Sequence, residues 1–193
     1  MRKYLILLCG VLLSACGEAA EPPAYKLGDR LATGTEKPGA VFRETSWDDL
    51  SPKGWNPMAG FKREEFAGLR DGDPRANEML RKLQDAWNNA PAVQAFDRQN
   101  IRIAGFLVPL DAERDQVREF LLVPYFGACI HTPPPPSNQT IHVVMDKAFK
   151  GRMMEPFWIS GELRVLRSDS PFGASAYTLK GVRAEAYVPP ARP

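Results

Sequence analysis

From Ile101 onward the chain breaks into five stretches of strand character, each interrupted or ended by a glycine, a proline or a polar turn. No other feature narrows the possible folds as much. Ile101-Arg102-Ile103 alternates, then runs into Gly105-Phe106-Leu107-Val108-Pro109. Phe120 to Phe126 is an almost unbroken apolar run, the pattern of a strand covered on both faces. Ile141, Val143 and Met145 alternate with His142, Val144 and Asp146; Phe157, Ile159, Leu163 and Val165 alternate with Ser160, Glu162 and Arg164, with Gly161 between them. The last stretch, Ala176 to Val188, changes phase near Gly181, which predicts a bulge or bend. A glycine inside a strand marks a bulge or a close backbone approach. The pattern predicts a mainly β (α+β) domain, a five-stranded OB-like small β-barrel preceded by a short helical segment. A small sandwich fits the same spacing, but closing a barrel removes exposed edges.

The helical segment is read from Asp73-Pro74, a cap with proline at the first helical position, followed by Met79, Leu80, Leu83, Trp87 and Ala90 at helical spacing. Such a stripe is expected to pack on the core. Pro91 ends it or begins a short turn carrying Val93 and Phe96. Ahead of the helix, Trp47 to Pro57 reads as a strap that puts Trp47, Leu50 and Trp55 on the core.

The N-terminus speaks to compartment. Arg2 and Lys3 precede an apolar run from Tyr4 to Leu13, then Ser14-Ala15-Cys16. Charge, length and small residues before the cut describe a secretory signal over residues 1–15. The run is too short to span a hydrocarbon core roughly 30 Å thick. The segment resembles a bacterial lipobox, which implies acylation of Cys16, with several chains giving stable anchoring. Gly17 at the next position favours the outer membrane, facing the periplasm. Residues 16–44, with Pro22, Pro23, Gly28, Gly34, Pro38 and Gly39, read as a flexible tether; residues 45–188 read as one domain and 189–193 as a tail.

Without residues 1–15, Lys+Arg falls from 25 to 23 and equals the 23 Asp+Glu. A neutral chain lacks the broad basic field that nucleic acid binding uses. Cys9 leaves with the signal and Cys16 carries lipid, so Cys129 is the remaining thiol, in an oxidising compartment. A lone thiol there is buried, paired with another chain, a ligand, or reactive.

Cys129-Ile130-His131-Thr132, followed by Pro133, Pro134, Pro135 and Pro136, then Ser137-Asn138-Gln139-Thr140-Ile141-His142, holds that thiol and both histidines of the chain. If residues 129–131 are extended, Cys129 and His131 point to one side and can reach one ion. Zinc, and alternatively copper, accepts this thiolate–imidazole pair, with His142 as a candidate third ligand. The phase of His142, opposite to Ile141 and Val143, argues instead for a solvated strand residue. The proline run is a stiff loop, and Pro133 to Pro136 with Asn138 and Gln139 form a candidate docking surface for a protein partner. A thiol enzyme is the weakest reading, since residues two apart on a strand are parallel neighbours and no orienting Asp or Asn is evident.

The segment Leu121 to Gln139, with Cys-Ile-His-Thr-Pro-Pro-Pro-Pro at its centre, resembles the signature of a bacterial lipoprotein family, the domain of unknown function 3299 (DUF3299). Gly105-Phe106-Leu107-Val108-Pro109-Leu110 and Trp47-Asp48-Asp49-Leu50-Ser51-Pro52 are similar to that family as well, so the resemblance covers roughly residues 45–188. It implies an accessory of an ABC-type transport system in the envelope, with a role in metal handling or lipoprotein-linked transport. It implies no particular active-site residues.

Overall fold

A computed structural model of the chain describes residues 24–31, 41–62, 73–113, 116–129 and 134–189. The described elements are β1 (Arg43–Glu44), α1 (Pro74–Asn88), β2 (Gln99–Pro109), β3 (Ala112–Glu113), β4 (Gln116–Val123), β5 (Ile141–Lys150), β6 (Pro156–Arg164), β7 (Ser168–Ser170), β8 (Gly173–Ser175) and β9 (Tyr177–Ala186). Short 3-10 turns lie at Asp48–Leu50, Gln94–Phe96 and Ser137–Gln139.

Five of these strands close a barrel. Around it β2 is followed by β6, β9, β5 and β4, and β4 returns to β2. All neighbours are antiparallel except β5 and β9, which are parallel. In chain order the barrel strands run 1-2-3-5-4-1, the OB arrangement, so the expected barrel is present and the sandwich is not.

Closure depends on one bend. β2 pairs with β6 from Gln99 to Phe106 and with β4 from Phe106 to Pro109. The hand-over falls at Phe106, next to Gly105, where a β-carbon on the glycine would lie 2.6 Å from Leu122 Cγ and 2.9 Å from the Val123 carbonyl oxygen. Only glycine lets the two strands approach that closely.

The period-2 pattern sorts side chains as expected. Ile101, Ile103, Leu107, Phe120, Leu122, Ile141, Val143, Ile159, Leu163 and Leu179 fill the interior. Phe106, Val108, Leu121 and Val123 point outward but are buried too, under a second apolar cluster with Ala128 and Met154. This is why the Phe120–Val123 run is apolar on both faces. The phase change near Gly181 is a bulge: Ser160 pairs with Arg183 and Gly161 with Gly181, leaving Val182 as the extra residue on β9.

Trp47 and Leu50 are buried in the barrel core, as the strap reading expects, and Trp55 is half-buried. The Trp47 indole donates to the Ala104 carbonyl at 2.7 Å. Helix α1 begins as expected: Asp73 caps it, accepting from the Arg75 amide at 2.9 Å. Its apolar stripe differs from expectation. None of its residues is buried, and Leu80 is 47% exposed. Trp87 is half-buried and donates to the Pro57 carbonyl at 3.1 Å, while Ala90, just past the helix, is buried. The physical reason is that Trp47, Leu50 and Phe96 already complete the packing of the barrel interior, so α1 lies outside it.

The tether reading does not hold for residues 24–31 or for β1. Tyr25 meets Phe106 edge-on with centroids 5.2 Å apart and stacks on Phe126 at 6.2 Å. The Gly28 amide donates to the Phe126 carbonyl at 2.9 Å, and the Phe126 amide donates to that of Asp29 at 3.0 Å. Arg43 and Glu44 extend the sheet beside β2. Loop composition alone did not reveal these contacts, because they depend on apolar surface left outside β2 and β4.

Candidate functional site

The connection between β6 and β9 carries a small hairpin, β7 and β8, turned at Pro171 and Phe172. Ser170 shapes the turn, its hydroxyl donating to the Gly173 carbonyl at 2.9 Å and accepting from the Phe172 amide at 3.2 Å. The hairpin stands between two clefts that share Ser170, Pro171 and Phe172.

The first cleft, of about 380 Å³, lies between the hairpin and α1. The helix presents Arg81, Gln84, Asp85 and Asn88 to it, and Cys129, Pro134, Phe172 and Gly173 form the other side. An Arg167 guanidinium donates to the Asn88 carbonyl and also pairs with Asp169 at 2.8 Å, which ties the end of the helix to the base of the hairpin.

Cys129 is half-buried at the margin of the second apolar cluster, with Phe126, Ala128 and Met154. Its φ is +65°, so the chain turns there instead of running extended, and the premise that an extended 129–131 aligns Cys129 with His131 fails at its first residue. The preceding turn is fixed by the Gly127 amide, which donates to Met154 Sδ at 3.2 Å. Burial pushes the Cys129 thiol up to about 12. A thiol of that kind is protonated at neutral pH and behaves as a small hydrophobe. His131 and Pro133 lie outside the described residues, as does Cys16.

The second cleft, of about 290 Å³, lies on the other side of the hairpin, over the outer face of β4 and β5. Leu110, Glu119 and His142 line it with Ser168, Asp169, Ser170, Pro171 and Phe172. His142 points outward, as its phase predicts, but it is half-buried and bound to a partner: Nε2 is 2.8 Å from Glu119 Oε1. Glu119 is positioned in turn by Asp111, whose carboxylate accepts from the Glu119 amide at 2.7 Å. His142 and Cys129 therefore line different clefts. Among the described residues no group of three or more His, Cys, Asp or Glu is placed to hold a metal ion. The candidate role of His142 as a third ligand beside Cys129 does not fit this arrangement, because the hairpin tip separates the two clefts.

The proline loop splits in function. Pro134 lines the first cleft, Pro135 is buried and Pro136 is half-buried. Asn138 and Gln139, expected to face a partner, are buried. The Gln139 amide donates to the Trp47 carbonyl at 2.6 Å and the Ser51 hydroxyl at 2.9 Å. Asn138 donates to the Pro91 carbonyl at 3.0 Å, and the Ser137 hydroxyl to that of Ala90 at 3.3 Å. These residues latch the strap and the helix exit onto the barrel, satisfying backbone groups that have no strand to pair with.

Sequence reasoning did not mark Glu119, Asp169, Phe172 or the hairpin. The Ser168-to-Ser175 stretch, with Pro171 and three serines, carries only the signal of a turn. Its role appears once the barrel places it beside β4, β5 and α1.

The crystal structure of a DUF3299 family protein from Pseudomonas aeruginosa PAO1 is similar, with 36% sequence identity and a TM-score of 0.60 over 78% of this chain and 98% of that one. No curated protein matches. The profile of the family described as a protein of unknown function, DUF3299, matches residues 47–186. That span holds the strap, the helix, all five barrel strands and both clefts, and on it the chain belongs to the DUF3299 family.

Proposed function

We propose that the protein is a non-catalytic binding module, lipid-anchored through Cys16 in the bacterial envelope, whose barrel receives an extended segment of a partner protein across the β7–β8 hairpin. The observation that carries this reading is the pair of clefts flanking the hairpin. The hairpin is the connection between the fourth and fifth barrel strands, and the second cleft lies over the second and third. OB barrels receive extended ligands on this face, between these loops. Nucleic acid is the usual extended ligand there, but the neutral mature chain speaks against it. A component of an envelope transport system is the partner class that the family resemblance suggests.

Selection from a random peptide library on the full chain in mild detergent is expected to yield peptides that shift the amides of Ser168–Gly173 together with Cys129 or His142. Selected peptides that leave both clefts unshifted, or an oligothymidine that shifts them instead, would refute the reading.

A zinc or copper site at Cys129 and His131 is the competing reading, favoured by the thiol's place on a cleft wall. It requires a thiolate, formed as the metal displaces the proton, and burial disfavours that thiolate only while no metal is bound. In the reduced full chain, alkylation of Cys129 by iodoacetamide at neutral pH is expected to run on the order of 100-fold slower than in urea. One equivalent of zinc is expected to leave the rate unchanged. Zinc protection together with bound metal would favour the metal site. The same shift has a stability consequence. The folded chain holds this proton between the ordinary thiol value of 9.0 and about 12 while the unfolded chain releases it, so stability falls as pH rises through that window.

A further inference from the structure

The second cleft has a chemical bias of its own. No lysine or arginine is among its lining residues. Glu119 is 43% exposed and spends Oε1 on His142, while its Oε2 has no partner among the described residues. Asp111 stands behind it, bonded to the Glu119 amide. Asp169 is the second carboxylate of the lining, offset by its own Arg167. Leu110 and Phe172 add apolar surface to the same lining.

A metal ion fits this set poorly. Zinc wants about four ligands and calcium six to eight, and the described residues bring together no ligating group of three. A phosphate backbone would meet carboxylates. A side chain with a long apolar stem and a single charged head fits both halves of the cleft. The stem lies along Leu110 and Phe172, the head reaches Glu119, and the Phe172 ring face offers a further contact for a cation.

Resting on the binding role proposed above, we infer that the cleft formed by Leu110, Glu119, His142 and Phe172 takes a lysine or arginine side chain of the bound segment. The first cleft, lined by Pro134 and the polar side of α1, then holds the neutral remainder across the hairpin. The two clefts thus divide recognition into one charge-selective pocket and one shape-selective trough.

The test uses a peptide selected on the full chain and four synthetic versions of it that differ at one position: lysine, arginine, norleucine or glutamate. Affinities come from amide shifts in titrations of the full chain at low salt. The lysine and arginine versions are expected to bind about tenfold tighter than norleucine, as one charge-assisted contact allows, with glutamate weakest. Glu119→Gln keeps the size of the side chain and an acceptor for His142. It is expected to bring lysine and arginine binding down to the norleucine level. Equal binding of lysine and norleucine, or a preference that survives both Glu119→Gln and Asp169→Asn, overturns the charge-selective pocket and leaves the binding role standing. Failure of every version to shift either cleft overturns both.

Discussion

Gly161→Ala is expected to destabilise the barrel by about 3 kcal/mol or more, enough to leave little folded protein in the cell. Gly161 sits at the bulge where β6 meets β9. A β-carbon there would press on the Lys180 carbonyl oxygen and lie 2.8 Å from Leu179 Cδ2. The leucine tip can turn, but the carbonyl cannot. Lys180 is held on both sides, opposite Glu162 of β6 and Val144 of β5. Relief would require β6 and β9 to separate at the point where the parallel β5–β9 pair completes the barrel. Urea midpoints, at unchanged slope, measure the effect. Val182→Ala, at the exposed extra residue of the same bulge, is the control and is expected to change stability by less than about 0.5 kcal/mol. A loss below about 1 kcal/mol in Gly161→Ala would mean that the bulge is soft and that closure does not depend on it.

Tyr177→Phe is expected to cost about 2–4 kcal/mol although it removes one oxygen atom. The side chain is fully buried at the start of β9. Its hydroxyl donates to the Leu50 carbonyl at 2.7 Å and accepts from the Val93 amide at 2.7 Å. One atom therefore joins the strap, the segment after α1 and the barrel, and its loss leaves two backbone groups without their partner in a site water does not readily reach. Burial raises the phenol's pKa, so the hydroxyl keeps the proton that the Leu50 carbonyl needs. Thermal unfolding gives the magnitude. Hydrogen exchange at Val93 gives the location: its amide should exchange faster, with amides inside β4 and β5 changing only by the global loss. An unchanged Val93 rate would show that the strap is held by other contacts, foremost the Gln139 amide on Trp47 and Ser51.

The loop from Cys129 to Thr140 shows where sequence reasoning reaches its limit. It is conspicuous in composition, and composition pointed to chemistry at Cys129, His131 and the prolines. Three-dimensional packing redistributes those roles. Cys129 has a positive φ, not the extended backbone that a shared ligand pair assumes at that residue. Asn138 and Gln139, polar and apparently available, turn inward as a latch. The helix stripe from Met79 to Trp87 reads as core, yet the strap had already completed that packing. In each case the residue type was legible and its partner was not, because the partner lies on an element distant in sequence.

What the chain determines by itself is the set of faces. Side chains alternate along a strand whatever its neighbours are, so Ile141, Val143 and Met145, the doubly covered run from Phe120 to Val123, the glycines at 105 and 161 and the phase change near 181 could all be read directly. Those local features were enough to indicate a small barrel. The tertiary structure alone decided which polar groups would meet: Gln139 with Trp47, Tyr177 with Leu50 and Val93, His142 with Glu119, and the β7–β8 hairpin between two clefts. Such pairings follow from closure of the whole barrel, a sum of many weak contacts between residues far apart in the chain, and they leave no local periodicity to read.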